Sequence, residues 1–187
     1  MRFDRKGSNN SKVNKYASDL VAQVSEMNKG IYLESLLDSI PSNFCIGVGG
    51  YPEKHFESAS LSIDIERLKD KVDCGADYIV TQMFFDNKVF FDFVKKCRNA
   101  GIKVPIIPGI KIISLESHLI NLPKFFYLDI PDELSSKIIG RPKEEIRRIG
   151  IEWAQKQVHD LISYGVPCVH FYIMSSAKSV VKVLSEF

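Results

Sequence analysis

The sequence predicts an α/β fold, a parallel sheet of four strands alternating with helices and entered through an N-terminal helical segment. Three observations predict it. Apolar runs at residues 44–48, 78–85, 104–107 and 166–173 have the length and continuity of strands buried on both faces. Each is followed by sequence whose apolar residues recur at helical spacing. Gly75, Gly101 and Gly165 stand where those helices should end.

Taken in order, residues 1–15 form a polar lead-in with no apolar stretch, expected to be disordered and unlike a signal peptide. Leu20, Val21 and Val24 predict an amphipathic helix over 16–27, ended near Gly30. A second, short helix is expected over 32–40, closed by Pro41. The first strand, F-C-I-G-V at 44–48, runs into Gly49 and Gly50, which let a ligand approach the backbone closely. A helix over 63–72 places Ile63, Leu68 and Val72 inward, with Gly75 as its C-cap. The strand at 78–85 leads to a helix capped by Asp86 or Asn87, carrying Val89, Phe90, Phe93, Val94 and Cys97 and stopped at Gly101. Residues 104–107 form the third strand, turned by Pro108-Gly109. Short helical patches follow around 114–122 and 131–139. A long helix over 142–164 starts at Pro142 and ends at Gly165. The last strand, 166–173, precedes a final helix over 176–184. Crossovers between such strands are right-handed.

The 187 residues suffice for one domain with a sizeable core. The net charge of +2 gives no reason to expect nucleic acid or an anionic membrane as a partner. No apolar run approaches the ~20 residues needed to span a bilayer. Cys45, Cys74, Cys97 and Cys168 form no C-x-x-C pair and are expected to be reduced core thiols of a cytoplasmic protein. The four histidines lack zinc-site spacing.

A closed eight-stranded barrel takes about 250 residues and eight strand–helix units. Four units make either an open sheet or half of a barrel. Half a barrel leaves two long edges and an uncovered apolar face.

Ligands of parallel α/β folds sit at the carboxyl ends of the strands, which directs attention to residues 51–86. Tyr51 follows the glycine-rich strand end, as either a ring for stacking or a rim tyrosine. His55, four residues on, is either a donor to a phosphate or ring oxygen or a surface residue. Asp64 and Lys71 lie two turns apart on one helix face, as either an acid and a cation for a dinucleotide or a solvated face. Gln82 stands in an apolar strand, where a buried amide left without partners costs about 1–3 kcal/mol. Its donor and acceptor suit the edge of a heterocycle. His170 and Tyr172 share one face of the last strand.

Together, Y-P-E-K-H at 51–55, D-x-x-x-L-K-x-K-V-D-x-G-A-D at 64–77, I-V-T-Q-M-F-F-D at 79–86, V-P-I-I-P-G-I at 104–110 and H-F-Y at 170–172 resemble the methylenetetrahydrofolate reductase family. The order and spacing of the motifs hold from about Tyr16 to the C-terminus. The resemblance implies that residues 16–187 form a partial (β/α)8 TIM barrel, about four C-terminal strand–helix units. It implies NAD(P)H-dependent reduction of 5,10-methylenetetrahydrofolate to 5-methyltetrahydrofolate through FAD, with NADH or NADPH as reductant. By position, Tyr51, His55, Asp64, Arg67 and Lys71 correspond to FAD contacts, and Gln82 and His118 to the folate side. Gln82 would also meet the nicotinamide in its turn.

Arg67 stands where the family often has Asn or His, and Ser176 replaces a basic residue that follows H-F-Y, with Lys178 two positions away. The family's first four strand–helix units, with the glutamate proposed to protonate the substrate, have no counterpart in residues 1–14. The chain alone is therefore expected to be inactive or very weak. The alternatives are a half-barrel subunit that pairs with a separate N-terminal half or with itself, and a non-catalytic remnant.

Overall fold

A computed structural model describes residues 14–34, 36–174 and 176–187. Most of the expected lead-in, residues 1–13, lies outside the described residues. The elements run α1 (Ala17–Met27), β1 (Gly47–Gly50), α2 (Leu61–Asp73), β2 (Tyr78–Met83), α3 (Asn87–Asn99), β3 (Ile106–Ile110), α4 (His118–Phe126), α5 (Asp132–Ile138), α6 (Lys143–Tyr164), β4 (His170–Phe171) and α7 (Lys178–Leu184). The four strands are parallel and lie in the order β1-β2-β3-β4. Space follows chain order with no reversal. A doubly wound sheet reverses its order at a switch point, whereas a barrel adds each strand beside the last.

The main core lies between the sheet and α2, α3 and α6. Ile79, Phe84, Phe90, Phe93, Cys97 and Leu161 are buried there. Phe84 and Phe90 stack with centroids 5.2 Å apart. A second cluster, Phe85, Ile113, Leu122, Leu134, Ile138 and Ile146, seats α4 and α5 beyond the carboxyl ends of the strands. Two clusters arise because Phe84 and Phe85 are adjacent and point opposite ways, one into each.

Several boundaries differ from expectation. No helix forms among the described residues of 32–40. Leu33, Leu37 and Ile40 are exposed there, and a short helix with no apolar face to bury does not hold. The first strand sits later, at Gly47–Gly50, and Cys45 and Cys168 are exposed rather than in the core. Helix α2 buries Leu68 and packs Val72 against the core as expected, but Ile63 faces out and Ile65 is buried instead. Pro108-Gly109 does not turn the chain but continues β3. The last strand shrinks to His170–Phe171, an edge strand that among the described residues pairs only with β3.

Pro108 cannot give the ladder an N–H. The register jumps there: Val80 pairs with Ile107 and Met83 with Gly109, so Thr81 and Gln82 together oppose Pro108. Such bulges re-aim side chains and recur beside active sites. The Gly109 N–H is instead donated to the Thr81 hydroxyl at 3.0 Å. No described helix is long and apolar enough to cross a membrane.

Candidate functional site

The carboxyl end of β1, the loop after it and helix α2 gather four of the residues singled out in the sequence. Ser60 caps α2, its hydroxyl accepting from the Ile63 N–H. This orients the first turn, where the Asp64 carboxylate accepts the backbone N–H of His55 at 2.9 Å. At the last turn, the Lys71 ammonium donates to the Gly49 carbonyl at 2.8 Å. The helix thus ties down both the end of β1 and the loop that follows. Tyr51 and His55 meet edge to face with ring centroids 4.6 Å apart. Burial, and then the Asp64 charge, push the Tyr51 hydroxyl pKa up. Burial holds the Lys71 ammonium below the ordinary lysine range, with Asp64 opposing the shift.

Gly49 has open space above it: among the described residues a Cβ there would meet only the Tyr51 hydroxyl, at 3.9 Å. A bare backbone beside an aromatic ring, a desolvated cation and an acid is a donor set suited to a dinucleotide. Arg67 is exposed on α2, three residues after Asp64 and four before Lys71, hence on the same side of the helix.

Gln82 lies on the adjacent strand, at the bulge, and lines a crevice with Tyr51 and Glu53. Its Oε1 accepts from the Met83 N–H at 2.9 Å. Among the described residues its amide NH2 has no acceptor, so it is available to a ligand. Tyr172 donates to the Thr81 carbonyl, one residue away, at 2.9 Å.

His118 does not join this group. It opens α4 and lines a separate cavity with Lys111, Tyr172 and Lys178. Its Nδ1 accepts from the Ser114 N–H at 3.4 Å. Burial, and then the Lys111 charge, hold its pKa down.

Sequence reasoning missed Glu53, although it stands inside the Y-P-E-K-H motif. Its carboxylate accepts the Asp129 N–H at 2.6 Å, tying the β1 loop to the segment between α4 and α5. Burial, helped by Asp129 and Asp86 and opposed by the Asp129 N–H, raises its pKa from 4.5 to about 7. Below pH 4.5 folded and unfolded chains both carry the proton; between 4.5 and about 7 only the folded chain does. Stability therefore falls as pH rises through that window and is flat above it. Glu53→Gln keeps an acceptor for Asp129 and removes the charge. The variant is expected to melt higher than the parent at pH 8 and close to it at pH 4.5. A difference independent of pH would contradict this.

The family model for methylenetetrahydrofolate reductase matches residues 3–187. Methylenetetrahydrofolate reductase 1 of Schizosaccharomyces pombe is 36% identical over 174 residues, covering 92% of this chain and 27% of that protein. The chain belongs to the methylenetetrahydrofolate reductase family. The 5,10-methylenetetrahydrofolate reductase of Escherichia coli is 34% identical over 165 residues, covering 87% of this chain and 51% of that one. The chain thus spans about a quarter of the fungal relative's length and about half of the bacterial one's. Among solved structures, a Clostridium thermocellum protein described as binding two copies of 5-methyl-5,6,7,8-tetrahydrofolic acid superposes with a TM-score of 0.50. It is 18% identical and covers 74% of this chain and 50% of its own. That likeness concerns the fold alone, and it agrees with the strand order: the fold is α/β, an arc of four strand–helix units of a (β/α)8 barrel.

Proposed function

We propose that this chain is the part of a methylenetetrahydrofolate reductase barrel that holds FAD and orients the folate. The whole reaction would be NAD(P)H-dependent reduction of 5,10-methylenetetrahydrofolate to 5-methyltetrahydrofolate. The observation that carries the reading is the group around Gly49: an open backbone flanked by Tyr51, with Lys71 and Asp64 fixed by α2 on either side. Lys71 and Arg67 would face the flavin nucleotide's phosphates, Asp64 a ribose hydroxyl, and Tyr51 and His55 a ring. Bound FAD supplies the hydride chemistry; the protein supplies position and field. Gln82, at a bulge and with no acceptor for its amide NH2 among the described residues, would read the edge of the pterin and, by turns, of the nicotinamide. His118 would contact the folate farther along.

The sheet also needs completing. Among the described residues β1 and β4 each have one neighbour, and Gly47 and Gly49 on the face away from the helices are exposed. A chain carrying the remaining strand–helix units, or a second copy, would cover that face, so the chain alone is expected to turn over weakly or not at all.

The test is flavin absorbance after incubation with FAD and gel filtration, first on the chain alone and then with an added N-terminal half-barrel from a relative. Retained flavin in either case supports the reading. A colourless protein in both would sink it, and a non-catalytic role would stand in its place.

A further inference from the structure

A cavity of about 270 Å3 lies between the residues that follow β2, the start of α5 and the face of α6 that carries Trp153 and Gln157. Gln157 lines it and is only 4% exposed. Its Oε1 has no hydrogen-bond donor, and among the described residues no other buried side-chain oxygen or nitrogen is left so. A buried acceptor without a donor is rare in folded proteins and costs stability.

The donors around that oxygen are already spent. Gln157 Nε2 donates to the Phe84 carbonyl at 3.3 Å and to Asn87 Oδ1 at 3.2 Å. Asn87 Nδ2 donates back to the Gln157 carbonyl at 3.0 Å. Trp153 Nε1 donates to the Phe85 carbonyl at 3.0 Å. Turning the Gln157 amide over is no remedy, because it would set the amide oxygen against the Phe84 carbonyl oxygen.

The rest of the wall also offers acceptors. Asp86, Glu133 and Asp160 line it. Glu133 is paired with Lys137 at 2.7 Å. Asp86 uses one oxygen to cap α3 through the Lys88 N–H. Asp160 has no ion pair among the described residues. Against these stands Lys156, which is exposed and whose flexible stem lets the ammonium swing out to water.

Such a wall selects a ligand that is all donor. A guanidinium is planar, carries only N–H donors, is weakly hydrated and stacks on indole rings. Trp153 supplies the ring. An ammonium is more strongly hydrated and gains less from it. A lone metal ion would leave most of the volume unfilled, and the described residues hold no cluster of metal-ligating side chains.

We propose that this cavity binds a small guanidinium compound, whose N–H groups reach Gln157 Oε1 while Asp86 and Asp160 balance its charge. The cavity shares no lining residue with the crevice at Gln82, and the proposal does not rest on the folate reading.

Trp153 is the only tryptophan of the chain, so its fluorescence reports on this cavity directly. Titration with agmatine at low ionic strength is expected to give a saturable change in emission. Cadaverine, of similar length and charge but with two ammonium groups, should bind roughly tenfold more weakly. Gln157→Leu removes the orphaned acceptor and should weaken agmatine binding by roughly tenfold or more, the range for a hydrogen bond to a charged group. Asp160→Asn, at an exposed position, should weaken it by about threefold. Thermal melting of each variant separates lost binding from lost folding. No saturable change with agmatine overturns the proposal and leaves a trapped water as the partner of Gln157 Oε1. Equal affinity for cadaverine overturns it as well, as does unchanged binding in a folded Gln157→Leu. Should that variant fail to fold, Asp160→Asn decides in its place.

Discussion

Gly150→Ala is expected to destabilise the fold by roughly 2 kcal/mol or more, although alanine is the better helix former. In a helix interior that propensity favours alanine by about 1 kcal/mol. Packing opposes it. A Cβ on Gly150 would stand 1.9 Å from the Ile113 carbonyl oxygen and 2.9 Å from its carbonyl carbon. These are backbone atoms and cannot swing away as a side-chain tip would. Helix α6 would have to move off the segment after β3 by more than 1 Å to reach the ~3.5 Å of ordinary contact. That shift would strain the contacts around Ile113, Ile146 and Ile151, which lie in both clusters of the core. Overpacking of this kind costs about 1–3 kcal/mol and sometimes more, enough to outweigh propensity. Urea denaturation of the variant would show a lower midpoint at an unchanged slope. A midpoint at or above that of the parent would mean that α6 is free to shift.

Gly150 also shows what was legible in the sequence and what was not. A lone glycine inside a helical pattern is a weak signal of close packing, and nothing local names its partner, Ile113, 37 residues earlier. Elements with a strong period were legible: α2, α3 and α6 stand close to their predicted positions, because an apolar stripe at helical spacing is a local property. The helix expected at 32–40 was not, since its apolar residues had the spacing but nothing to pack against. Pro108-Gly109 read as a turn because local rules place both residues in turns. Only the neighbouring strand shows that Thr81 accepts the Gly109 N–H and that a bulge absorbs the proline.

In the site, spacing on one helix put Asp64 and Lys71 on one face, and the structure turns that face toward β1. Gln82 was legible as an amide in an apolar run, but its bulge was not. Glu53 and Lys111 escaped for a common reason. A carboxylate in a polar loop and a lysine after a strand look solvated until the fold shows what buries them: the α4–α5 connection for Glu53, and the last strand for Lys111.

Lys71→Met is the substitution with the largest expected effect on cofactor affinity. If flavin nucleotide binds at Gly49, the ammonium faces its phosphates in a half-buried setting, where a hydrogen bond to a charged group contributes about 1.5–3 kcal/mol. Losing it should weaken FAD binding by roughly tenfold to a hundredfold. The structural role of Lys71 pulls the other way on stability. Met loses the bond to the Gly49 carbonyl but removes a charge whose burial is unfavourable, as its lowered pKa shows. The two losses therefore separate by measurement. Flavin affinity that falls while the melting temperature holds marks a ligand contact. A lower melting temperature with unchanged affinity marks a strut between α2 and β1, and the FAD assignment of Lys71 would be wrong. pH gives an independent check. Because burial lowers the Lys71 pKa, its charge is lost sooner on the alkaline side than that of a free lysine. A bound phosphate would raise that pKa again, so FAD affinity of the parent chain should decline with rising alkalinity. The Met variant has no such charge to lose, and its weaker affinity should be flat across the same range.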